Sequence, residues 1–124
     1  MGYANKILVV DDEISLVQLC QFILEDAGYK VRGALSGSQA LEMIVDDMPD
    51  LVLLDVMMPG MDGIETCRQI RTKYDEQRPY ILMYTADDRE TTRSNSMDAG
   101  ANDLITKDTP VAELASAINA YLSA

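Results

Sequence analysis

Five short apolar runs alternate with five helical patterns, and this alternation restricts the fold more than any other feature of the chain. The runs are Lys6–Val10, Lys30–Ala34, Leu51–Leu54, Tyr80–Tyr84 and Asp103–Thr106. The third is apolar at every position, which suits a central parallel strand covered on both faces. The second and fifth are more polar and read as edges. Strands alternating with helices predict a parallel sheet with right-handed crossovers. The expected architecture is a three-layer α/β sandwich. At 124 residues the chain is the size of one domain, with no linker or repeat, so it reads as a single domain over 1–124.

The helices carry their own start and stop signals. The first runs from about Ile14 to Ala27, with Gly28 as its stop. Ser36 and Gln39 have capping-box spacing, and Leu41, Ile44 and Val45 follow as an apolar face. The third starts at Asp62, with Glu65 three residues on, and carries Ile64, Cys67 and Ile70. The fifth opens with Thr109 as its cap and Pro110 in the first turn, followed by a stripe of Val111, Leu114, Ala115, Ile118, Tyr121 and Leu122. The fourth, Arg89–Asp98, has one large apolar residue, Met97, among mediocre helix formers. It is expected to be short, loosely docked and mobile.

Polar residues follow the strands in a pattern. The first strand ends in Asp11-Asp12-Glu13, the third in Asp55, the fourth in Thr85, and the fifth is followed by Lys107. In an open α/β sheet these positions share the carboxyl edge, where ligand sites form. Crowded carboxylates repel one another unless a cation joins them, and Mg²⁺ takes a few carboxylates together with waters and phosphate oxygens. A carboxylate beside such an ion can attack phosphorus. Lys107 offers a charge and Thr85 a hydroxyl to a phosphoryl group. Taken singly, Asp11-Asp12 reads as a helix cap, Asp55 equally well as a turn residue, and Thr85 and Lys107 as surface residues. Asp46-Asp47 and Asp87-Asp88 read as solvated or capping charges. The functional case rests on joint placement.

Composition excludes several classes. The net charge of −11 argues against direct binding to nucleic acid or anionic membrane. No apolar run is long enough to span a bilayer, and no secretory signal pattern is present, so a cytoplasmic location is expected. Met1-Gly2 lacks the Ser or Thr that a myristoylation signal needs, since Lys6 stands there. Cys20 and Cys67 fall in helical apolar patterns and read as buried reduced thiols, and the chain has no histidine for a zinc site. The eight methionines read as packing, with Met57, Met58 and Met61 as an exposed contact surface.

These residues are recognisable together. Val9-Val10-Asp11-Asp12-Glu13, the stretch Leu53-Leu54-Asp55-Val56-Met57-Met58-Pro59-Gly60-Met61-Asp62-Gly63, Tyr84-Thr85-Ala86, Ala99-Gly100-Ala101 and Thr106-Lys107 resemble the receiver domains of bacterial two-component systems. The likeness covers essentially the whole chain in order. It implies the flavodoxin-like strand order 2-1-3-4-5 and a signalling phosphoacceptor, not a conventional enzyme. Asp55 would be the phosphoacceptor. Asp12, Asp55 and the Met57 backbone carbonyl would bind Mg²⁺, or another divalent ion such as Mn²⁺, with Asp11 acting through metal-bound water. Thr85 and Lys107 would hold the phosphoryl group, and Met57 and Asp87 would tune access of hydrolytic water. The donor would be a sensor histidine kinase or a histidine phosphotransfer protein, and self-catalysed phosphotransfer and dephosphorylation are implied. The effector is not named by the sequence. The fourth helix and fifth strand are the expected regulated surface, and a homodimer would use these two with the fifth helix.

Two positions depart from the family. Leu104 stands where an aromatic residue is frequent, three before the lysine, and pairs with Thr85 as a switch position. Asp108 stands where proline usually follows across a cis bond. A non-proline cis bond costs about 2.5–4 kcal/mol, so Lys107–Asp108 is expected to be trans, with a shifted loop. Two rivals stand beside this reading. One is an interaction module of the same fold that is never phosphorylated. The other is a Mg²⁺-dependent phosphatase with an aspartyl nucleophile, against which Met57 occupies the place of that class's second acid. A flavin-binding reading fails for want of a phosphate loop after the first strand.

Overall fold

The computed structural model describes residues 5–74 and 78–123. Met1 and Gly2 lie outside them. The elements follow in the order β1 (Lys6–Val10), α1 (Ile14–Asp26), β2 (Lys30–Ala34), α2 (Gly37–Asp46), β3 (Leu51–Leu54), α3 (Gly63–Lys73), β4 (Tyr80–Thr85), α4 (Glu90–Asp98), β5 (Asp103–Thr106) and α5 (Val111–Ser123). All five strands are parallel, in the order β2-β1-β3-β4-β5. The expected fold class and order are found, and the two polar strands are the edges. β4 runs one residue beyond expectation, to Thr85.

Strand alternation builds two cores. Leu8, Val10, Val52, Leu54, Ile81, Met83 and Leu104 face α2, α3 and α4. Ile7, Val9, Leu51, Leu53, Leu82 and Tyr84 face α1 and α5. Successive side chains of a strand point to opposite faces, so an all-apolar strand feeds both layers. Burying each large aliphatic side chain contributes about 1.5–3 kcal/mol.

Capping follows the sequence signals, with exceptions. The Ser36 hydroxyl accepts from the Gln39 backbone N–H at 3.1 Å, and the Gln39 side chain accepts from Leu35 N–H at 2.8 Å. Asp62 accepts from Glu65 N–H at 2.8 Å. Gly28, at φ +104°, ends α1 in the left-handed region. In α5, Pro110 itself occupies the cap, its carbonyl accepting from Glu113 and Leu114, so the cap lies one residue later than expected.

Two expectations of facing are corrected. Val45 is 62% exposed: the inner face of α2 is centred on Gly37, Ala40 and Ile44, which turns position 45 to solvent. Met58 is buried in the α2–α4 core rather than exposed; Met57 is exposed and Met61 is half-buried. In α4 the one large apolar residue, Met97, points outward, and the helix docks through Thr92 and Ser96. Among the described residues no helix is long and apolar enough to cross a membrane. Cys20 and Cys67 are buried free thiols, and burial pushes both up to about 11.

Candidate functional site at the carboxyl edge of the sheet

β1 and β3 are adjacent and in register, Val10 opposite Leu54, so the residues that follow them emerge side by side. The Asp55 backbone N–H donates to Val10 carbonyl at 3.0 Å, continuing the ladder by one step. Asp11 donates likewise to Ala34 of β2 at 3.1 Å. Carboxylate oxygens of Asp11, Asp12 and Asp55 come within 4.8 Å of one another. Asp11 and Asp55 are buried and Asp12 is exposed. Asp11 does not cap α1. Its carboxylate accepts from Glu13 N–H at 2.9 Å, which tightens the turn but leaves its second oxygen for the site.

That second oxygen meets Lys107. The ammonium lies 2.8 Å from Asp11 Oδ2 and 3.6 Å from Asp55 Oδ1. Burial works against the charged lysine, but the hydrogen bond to Asp11 and the charge of Asp55 outweigh it, so its pKa is raised. Asp55 is pushed up to about 6, first by burial and then by the charge of Asp11, while Lys107 and the Met57 N–H oppose the rise. A buried carboxylate beside a second one is a group that gains from a further cation.

Tight packing sets where Asp55 points. Gly63 N–H donates to the Val56 carbonyl at 2.9 Å, folding the 56–62 loop back onto the end of β3. A Cβ at position 63 would lie 1.9 Å from the Asp55 carbonyl oxygen, so only glycine fits there. The Met57 N–H donates weakly to Asp55 Oδ1 at 3.4 Å, and its side chain is 60% exposed at the rim.

Thr85 closes β4 fully buried, opposite Thr106 of β5. Its carbonyl accepts from Lys107 N–H at 2.8 Å, and its hydroxyl accepts from Asp87 N–H at 3.1 Å. Asp87 turns away toward α4. Its carboxylate accepts from Thr92 at 2.7 Å and pairs with Arg89 at 2.6 Å, and these bonds hold its pKa far below the ordinary value. Leu104 is buried on the α2–α4 side of the sheet. Lys107–Asp108 is trans, the cis bond among the described residues being Arg78–Pro79. Of the residues singled out in the sequence, Asp11, Asp12, Asp55 and Lys107 thus form one cluster, with Thr85 joined to it through the Lys107 backbone. A larger cavity, about 580 Å³, lies elsewhere, lined by Lys6, Tyr29, Lys30, Arg32 and Asp47 near the amino ends of β1 and β2.

One residue near the site escaped the sequence reading. Tyr84 precedes Thr85 on the opposite face, and its hydroxyl donates to the Thr109 carbonyl at 2.7 Å. A phenol at the carboxyl end of a buried apolar strand, next to Thr85, was the signal for it.

The family model of the response regulator receiver domain matches residues 7–119. The chain belongs to that family. Similar solved receivers include the Klebsiella pneumoniae RstA N-terminal receiver domain in its BeF3-activated form. It is 35% identical, covering 95% of this chain and 98% of that one, with a TM-score of 0.87. The Vibrio cholerae chemotaxis protein CheY4 is 30% identical over 95% of this receiver and 98% of its own chain, with a TM-score of 0.89. The signal receiver domain of a signal transduction histidine kinase from Syntrophus aciditrophicus is 32% identical, covering 97% of this receiver and 91% of that chain, with a TM-score of 0.87. This receiver is therefore a module of two-component signal transduction, and its acidic pocket has the residues to hold a divalent ion.

Proposed function

We propose that this receiver accepts a phosphoryl group on Asp55 from a phosphohistidine of a sensor kinase or phosphotransfer protein. The observation that carries the reading is the Lys107 ammonium between Asp11 and Asp55, in a cluster of three carboxylates at the carboxyl edge. An Asp55 carboxylate oxygen forms the new bond to phosphorus as the donor's P–N bond breaks, and the electron pair leaves with the imidazole. Lys107 neutralises a phosphoryl oxygen, and the buried Thr85 hydroxyl donates to another. The residues present fit Mg²⁺ or Mn²⁺: Asp12, Asp55 and the Met57 carbonyl would hold it, with Asp11 acting through its water. When bound, such an ion neutralises charge on the transferring group.

Hydrolysis of the acyl phosphate resets the switch. The exposed Met57 stands at the rim and limits water there, while the Asp87 carboxylate is engaged by Arg89 and Thr92, which restricts it as a base. α4 and β5 form the regulated surface. Support comes from the polar inner face of α4, since weakly packed elements reorganise at least cost. A homodimer through α4, β5 and α5 would use the same surface.

Acetyl phosphate with Mg²⁺ tests the reading. The expected result is a mass gain of one phosphoryl group in the wild type and none in Asp55→Asn. No gain with acetyl phosphate or a phosphorylated phosphotransfer protein would establish the rival, a receiver fold used only as an interaction module.

A further inference from the structure

We infer that Tyr84 is the residue that transmits the state of the phosphorylation site to the β5–α5 turn, a role that rests on the phosphoacceptor reading above. The turn between β5 and α5 is strapped to the end of β4 at two points. Lys107 N–H donates to the Thr85 carbonyl at 2.8 Å, and the Tyr84 hydroxyl donates to the Thr109 carbonyl at 2.7 Å. The two straps enclose Asp108, whose carboxylate engages the Thr106 hydroxyl. Both groups proposed to hold the phosphoryl group, Thr85 and Lys107, are therefore directly bonded or adjacent to this turn.

Geometry makes Tyr84 a lever. Adjacent residues of a strand point to opposite faces, so Thr85 lies on the α2–α4 side and the Tyr84 ring on the α1–α5 side. A shift of the Thr85 backbone toward Asp55 must swing the ring in the opposite layer. With Leu16, Cys20 and Leu53 the ring lines a gap beneath Asp11 and Asp55 that is too small to hold a water, so a swing must move these neighbours with it. The turn has latitude to answer, since Asp108 leaves its backbone free where a proline would fix φ. Leu104 is buried on the α4 side and its side chain has no polar atom with which to make such a bond.

When the site is loaded, the Tyr84–Thr109 hydrogen bond is released and the first turn of α5 loosens. A ligand shifts such an equilibrium only through contacts that differ between the states, and this bond is one of them.

Hydrogen exchange with and without beryllofluoride and Mg²⁺ tests the inference, in parallel with mass analysis of acetyl phosphate labelling. In the wild type, beryllofluoride should speed exchange at Thr109, Glu113 and Leu114 by about fivefold, the change one hydrogen bond supports in a local opening. Tyr84→Phe should exchange at that faster rate from the start, show no further response to beryllofluoride, and still gain the phosphoryl mass. A Tyr84→Phe protein that keeps the full beryllofluoride response overturns the inference. So does a wild type that is labelled but shows no response at these amides. A wild type that gains no mass overturns the phosphoacceptor reading instead, and this inference with it. Fluorotyrosine labelling of the wild type gives a check without the variant: the Tyr84 resonance should move on adding beryllofluoride, and a fixed resonance sinks the proposal.

Discussion

A methyl group at position 63 would stand 1.9 Å from the Asp55 carbonyl oxygen and 2.8 Å from the Val56 Cα, both backbone atoms that cannot step aside. Gly63→Ala should therefore destabilise by about 1–3 kcal/mol or more in urea unfolding and slow phosphoryl labelling, because Asp55 is re-aimed. Ser96 makes the opposite case. Its hydroxyl is buried in α4 with no hydrogen-bond partner. Ser96→Ala removes an unmet polar group and should stabilise by about 1 kcal/mol in the same measurement. Neither fact was legible in the sequence. Asp62-Gly63 read as a helix start, and Ser96 as one polar residue among many. Close approach and orphaning belong to the neighbours, which are distant in sequence.

Among the elements, α4 and α5 show how far periodicity carries. In α5 the stripe was legible because Val111, Leu114 and Ile118 repeat on one face of the helix, and the structure buries all three. In α4 no such stripe exists, and its one large apolar residue, Met97, is exposed. The residues that fit beneath that helix are Thr92 and Ser96, with Ala99 just after it, small enough to approach Met83 and Leu104. In α2, too, small residues decide the inner face. Gly37 and Ala40 permit close packing on α3, and they rotate Val45 outward although Leu41, Ile44 and Val45 look like a stripe. Packing of this kind predicts unequal local stability. Amides within α4 should exchange on the order of tenfold faster than those in the middle of α5 in native-state hydrogen exchange.

At the scale of the molecule, 21 acidic side chains against 10 basic ones leave a charge of −11, and part of that charge is concentrated at one sheet edge. A divalent ion that binds the folded site and not the unfolded chain should stabilise it by about 2.7 kcal/mol at one hundred times its Kd. A rise in melting temperature with Mg²⁺, largely lost in Asp12→Asn at equal ionic strength, is the expected outcome. The sequence by itself determined the class of fold, because strand and helix periods are local, and a continuous apolar strand must be covered on both sides. It also determined which residue types reach the carboxyl edge, because that follows from strand ends alone. Only the tertiary structure decided that Lys107 bridges Asp11 and Asp55, that Asp87 turns to α4, and that Tyr84 ties β4 to the start of α5. Those contacts join residues up to 96 positions apart, and their geometry is set by packing between layers, which no local pattern encodes.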